Sequence, residues 1–67
     1  DEIFVEGAQR GRGLGRAALR ALVEEARALG VRALHLEVEA DNPAGQALYR
    51  SEGFSGSERQ LLSRRLS

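Results

Sequence analysis

Cysteine, methionine and lysine are absent from these 67 residues, and proline, tyrosine and histidine each occur once. Without cysteine there is no disulfide, no thiolate zinc site and no cysteine nucleophile. A single histidine, His35, cannot build a metal site alone, so no metal is expected. Ten arginines balance ten acids, and the net charge is zero. That excludes the surplus of positive charge a nucleic-acid footprint needs. All ten basic residues are arginine, which suits bidentate phosphate contacts. No apolar run approaches the length of a membrane span, and no signal-peptide pattern is present. A soluble cytoplasmic protein with no membrane or nucleic-acid partner is the expectation.

Glycine, by contrast, is concentrated. The string Arg10-Gly11-Arg12-Gly13-Leu14-Gly15 follows the apolar run Ile3-Phe4-Val5 and opens into a helical pattern. Three glycines in five positions allow positive φ and close approach of a ligand to the backbone. The first turn of the following helix offers unpaired N–H groups and the positive end of the helix dipole. Arg10, Arg12 and Arg16 add charge around it. Their coincidence points to a phosphate or pyrophosphate site rather than to a flexible loop with solvated arginines.

Residues 2–5 read as a short strand. Leu14, Ala18, Leu22, Ala26 and Leu29 recur at helical spacing, with Leu19 and Val23 beside them. Arg16, Arg20, Glu24 and Arg27 form the opposite, solvated stripe. Gly30 ends that helix as a left-handed cap would. Residues 31–40 switch to period two, with Leu34, Leu36, Val38 and Ala40 on one face and His35, Glu37 and Glu39 on the other. Strand, helix and strand in this order predict a parallel crossover unit. Asn42 suits an N-cap and Pro43 the first helical position, so a second helix is predicted over 43–52, closed by Gly53. Residues 61–66 offer a last strand, although Arg64 and Arg65 interrupt its alternation. There is no internal repeat, low-complexity tract or linker.

The glycine segment resembles the acyl-coenzyme A signature of the GNAT N-acetyltransferases, Arg/Gln-x-x-Gly-x-Gly/Ala, which Arg10, Gly13 and Gly15 fit without a gap. A second block supports it. Asn42-Pro43-Ala44-Gly45-Gln46-Ala47-Leu48-Tyr49-Arg50-Ser51-Glu52-Gly53-Phe54 is similar to the later motif of that family, Asn-x-x-Ala-x-x-Leu-Tyr-x-x-x-Gly-Phe, with the alanine at Ala44 or Ala47 depending on the variant. Two motifs in the right order, separated by a helix and a strand, cover roughly residues 1–62. The resemblance implies an α/β fold: strand, helix, strand, helix and a further strand, forming the C-terminal half of an acyl-coenzyme A N-acyltransferase domain. It implies acetyl transfer from acetyl-coenzyme A to a primary amine of a protein or small molecule, with the acceptor open.

The resemblance also assigns roles. Residues Arg10, Gly11, Arg12, Gly13, Leu14, Gly15 and Arg16 would hold the pyrophosphate, and Asn42 would contact the cofactor. In the family the strand before the glycine loop parts from its parallel neighbour, and its backbone groups bind the pantetheine arm and polarise the thioester carbonyl. That role falls on Ile3, Phe4 and Val5. Tyr49 matches the tyrosine that protonates the leaving thiolate, a task its phenol suits. Packing of a short helix is its structural alternative. Glu37 resembles the proton acceptor of the branch that acetylates N-terminal residues of ribosomal proteins. Glu2 is its rival, and His35 reads as an ordinary strand residue.

Length sets the remaining expectations. A chain of 67 residues lies near the lower limit for an independent core. Residues 1–67 are expected to be a partial domain lacking its N-terminal half, either a fragment or the ordered part of a longer polypeptide. Apolar strand faces and an unpaired edge predict that an N-terminal segment or a second copy completes the sheet, as in a homodimer. Two alternatives remain. Gly13-Leu14-Gly15-Arg16-Ala17-Ala18 satisfies Gly-x-Gly-x-x-Ala, and with Glu37 permits a dinucleotide-binding Rossmann-type oxidoreductase. Against it, seven residues separate Val5 from Gly13, and that fold leaves the second block unexplained. The other is a half-domain that binds acyl-coenzyme A, or a partner chain, without turnover.

Overall fold

The computed structural model describes residues 1–6, 15–39, 41–58 and 60–67. Four strands and two helices follow one another as β1 (Glu2–Glu6), α1 (Arg16–Ala28), β2 (Ala33–Glu37), α2 (Pro43–Ser51), β3 (Ser55–Glu58) and β4 (Leu61–Arg65). They form one mixed sheet in the order β1-β2-β4-β3. β1 and β2 are parallel, from Glu2↔Ala33 to Glu6↔Glu37, as the crossover predicts. β4 runs antiparallel to both β2 and β3. A doubly wound dinucleotide sheet would continue in parallel instead, so the oxidoreductase alternative finds no support here.

α1 buries Leu19, Val23 and Ala26, with Leu22 half-buried beside them. The apolar stripe is therefore turned from the expected one. Ala18 is exposed, and Leu29 lies past the last helical residue with 72% of its surface in solvent. Both helices end in the same way. At α1, Gly30 takes φ +81, its N–H donates to the Arg27 carbonyl, and the Val31 N–H donates to Ala26. At α2, Gly53 takes φ +95, its N–H donates to Arg50, and the Phe54 N–H donates to Tyr49. This is the paired-bond left-handed cap in which glycine avoids the cost of a Cβ at positive φ.

Alternation divides the sheet into two faces. Leu34, Leu36 and Val38 of the β2 region, and Leu62 of β4, pack with Leu19, Val23, Ala26, Tyr49 and Phe54 in the core. Their neighbours Phe4, His35 and Ser63, aligned across β1, β2 and β4, lie on the face away from that core. β3 is exposed along its whole length and its register with β4 is irregular. Among the described strands, β1 and β3 stand at the two ends of this order. No helix among the described residues is long and apolar enough to cross a membrane.

Candidate active site

Arg10, Gly11, Arg12, Gly13 and Leu14 lie outside the described residues. Gly15 is the N-cap of α1, with φ −75 and ψ 171 and no side-chain cap. The first intrahelical bond runs from the Leu19 N–H to the Gly15 carbonyl at 2.9 Å. The N–H groups of Arg16, Ala17 and Ala18 therefore begin the helix without intrahelical acceptors, and the first turn holds no acid. A Cβ placed on Gly15 meets nothing within 4 Å, and its φ suits any residue. Among the described residues, neither backbone nor packing requires glycine here. Among the described residues, the open space at Gly15 and the acid-free first turn are compatible with an anion such as a pyrophosphate at these N–H groups.

Arg16 does not hold its charge free for that anion. Its Nη1 forms an ion pair with the Glu52 carboxylate and donates to Ser51 Oγ at 3.1 Å. Arg20 adds a fork to the same carboxylate, Nε to Oε1 at 3.0 Å and Nη2 to Oε2 at 3.1 Å. The Arg20 hydrogen bond, helped by Arg16, holds the Glu52 carboxyl below the usual glutamate range.

On α2, Asn42 is the N-cap, its Oδ1 accepting from the Gly45 N–H at 3.0 Å. A Cβ on residue 45 would sit 2.5 Å from Asn42 Nδ2, so glycine at that position protects the cap. Tyr49 is buried, 1% exposed, with its ring centroid 6.5 Å from that of Phe54. The spacing Tyr-x-x-x-Gly-Phe has a structural cause. Tyr49 and Phe54 are the two residues that the helix-ending cap brings into apolar contact across Gly53.

The carboxyl ends of the parallel pair border a cleft of about 400 Å³ lined by Phe4, Val5, Glu6, His35, Glu37 and Leu61. Ligands of open α/β sheets favour that end of parallel strands. Glu6 and Glu37 are register partners there, and Glu37 is exposed. Ile3 is aligned with Leu34 and belongs to the other face. The expected parting of the first strand from its neighbour does not occur within Glu2–Glu6, because pairing continues to Glu6↔Glu37. His35 is more than an ordinary strand residue. Phe4 stacks on it at 4.3 Å, its Nδ1 lies 2.6 Å from Ser63 Oγ, and its Nε2 lies 2.8 Å from Glu2 Oε1. A carboxylate only accepts, so neutral His35 carries its proton on Nε2 and accepts at Nδ1 from the Ser63 hydroxyl. Alternation with Leu34 and Leu36 places His35 on this face, but its partners come from distant strands. Glu2, the rival base, is thereby engaged. Among the described residues no group of His, Asp or Glu is placed to hold a metal.

The model of the acetyltransferase (GNAT) family matches residues 1–54. The chain belongs to the GNAT acetyltransferase family. It is 54% identical over 52 residues to N-alpha-acetyltransferase RimI of Mycobacterium tuberculosis, covering 78% of this chain and 31% of that protein. It is 47% identical over 53 residues to the [ribosomal protein bS18]-alanine N-acetyltransferase of Escherichia coli, covering 79% and 36%. It is 42% identical over 52 residues to the L-methionine sulfoximine/L-methionine sulfone acetyltransferase of Pseudomonas aeruginosa, covering 78% and 30%. The chain thus spans about a third of the length of these curated relatives. No solved structure matches it.

Proposed function

We propose that this chain is part of an N-acetyltransferase that moves an acetyl group from acetyl-coenzyme A to a primary amine, and that the amine is an α-amino group. The carrying observation is the family match over residues 1–54, which spans both the glycine segment and the Asn42 to Phe54 block. An α-amino acceptor is the chemistry common to the three relatives: N-alpha acetylation, alanine of a ribosomal protein, and methionine sulfone, whose single amine is its α-amino group.

Bound acetyl-coenzyme A supplies the acetyl group activated as a thioester. The residues of this chain hold it and manage protons. Residues 10–15 and the N–H groups of the first turn of α1 bind the pyrophosphate. β1, which carries Ile3, Phe4 and Val5, borders the cleft, and its backbone groups serve the pantetheine arm and the carbonyl. Asn42 holds the start of α2 against the cofactor. Glu37 opens on the cleft and takes the proton from the amine, while Glu2 is occupied with His35. The phenol of Tyr49 keeps the proton for the departing sulfur.

The burial of Tyr49 favours a second reading, a half-domain that binds acyl-coenzyme A without turnover. One experiment separates them. The full-length protein is incubated with acetyl-coenzyme A and three acceptors: peptides with free N-termini, N-terminally blocked peptides containing lysine, and polyamines. Mass spectrometry should find acetylation of free N-termini alone. Acetylation of lysine or polyamine would overturn the α-amino assignment. Coenzyme binding without any product would favour the second reading.

A further inference from the structure

Glu52 stands outside every role assigned so far, yet three arginines from two other elements converge on it. Its side chain is only 10% exposed. Arg20 grips both carboxylate oxygens, and Arg16 shares Oε2 while also reaching Ser51 Oγ. Ser51 Oγ is itself anchored to the Leu48 carbonyl at 2.7 Å. From the sheet, Arg64 Nη1 donates to the Glu52 main-chain carbonyl at 3.1 Å. Arg64 also closes over Gly53, where a Cβ would stand 3.2 Å from its Nε. Glu52 is therefore fixed at main chain and side chain alike, at the capped end of α2.

What it grips is the start of α1. Arg16 is the first residue of that helix and Arg20 lies one turn further on. We infer that Glu52 is a positioning residue for the coenzyme, holding the first turn of α1 so that its N–H groups, which have no intrahelical acceptor, meet the pyrophosphate. The inference rests on the acetyltransferase reading above and adds a residue to it. It also gives Arg16 a different part from the one its position suggests. The Arg16 charge is met by Glu52, so it acts through the placement of the helix rather than as a ligand of the anion. Exposed ion pairs contribute little to stability singly. Hydrogen bonds to an anion, however, are strong and weaken steeply as distance and angle are lost. The network should therefore show itself in coenzyme affinity more than in melting temperature.

The test uses the full-length protein, with coenzyme A binding by calorimetry and steady-state kinetics on the same samples. Glu52→Gln keeps the shape and removes the charge. It should raise the KM for acetyl-coenzyme A about five- to tenfold, with kcat at saturation and the acceptor KM nearly unchanged. Arg20→Gln should do the same, and the double variant should be no worse than either single one. Should Glu52→Gln fail to fold, Arg20→Lys takes its place, since it keeps the charge but loses the fork. Unchanged coenzyme affinity in the variants, or a parallel fall in kcat and both KM-based terms, would overturn the inference. Failure of the unsubstituted protein to bind coenzyme A would instead overturn the acetyltransferase reading itself.

Discussion

The two faces of this sheet use alternate residues of the same strands and follow opposite rules. On the covered face, Leu34, Leu36 and Leu62 meet the helices with no measurable exposure. On the other, Phe4 keeps 68% of its surface in solvent and Leu61 39%, beside Glu6, Glu37 and the polar line Glu2-His35-Ser63. One face holds the strands in place. The other, held by the first, presents carboxylates and an imidazole at fixed positions. A strand separates these tasks without extra machinery, because its period of two sends neighbours to opposite sides.

Tyr49 is the residue that can break this division, because a catalytic role is proposed for a side chain on the packed side. If its phenol serves the leaving sulfur, Tyr49→Phe should lower kcat about 10²–10⁴-fold while coenzyme affinity and melting temperature hold. An unchanged kcat would return Tyr49 to the cap it forms with Phe54. Leu36→Ala tests the covered face as a purely structural element. It should cost about 2–5 kcal/mol of stability in denaturant titration. A loss below about 1 kcal/mol would mean the core lies elsewhere.

Two further substitutions should have smaller effects. Gly15→Ala fills open space at an ordinary φ, so its melting temperature should not fall. Coenzyme A affinity should nevertheless drop about tenfold, since the added methyl meets the ligand. Intact affinity would place the pyrophosphate elsewhere. The smallest effect concerns acid. The Glu52 carboxyl titrates below its unfolded value, so its contribution is complete above the range of a free glutamate, about pH 4.3. It is lost as pH falls through the lower folded value. Glu52→Gln should therefore flatten the stability profile only below about pH 4.3, and an equal slope in both proteins would remove Glu52 from the acid response.

How far these features were legible follows from what enforces them. Both helices could be read because their apolar periodicity, Asn42, Gly30 and Gly53 are local signals. The α1 stripe was misplaced at Leu29, since the cap at Gly30 takes that residue out of the helical register. Leu34, Leu36 and Val38 alternate cleanly and were readable as the buried side of a strand. β3 was not, because Ser55, Gly56, Ser57 and Glu58 carry no apolar alternation. β4 was obscured by Arg64, which faces the core side yet is used to brace Glu52 and Gly53. The partners of His35 and the grip of Arg16 and Arg20 on Glu52 were invisible, because they join residues 28 to 36 positions apart.

The most direct measurement is calorimetric titration of coenzyme A and, separately, NAD into the full-length protein and its Gly15→Ala variant. Saturable uptake of coenzyme A by the protein, weaker uptake by the variant, and no uptake of NAD by either are expected. Preference for NAD, or no uptake of coenzyme A, would contradict it.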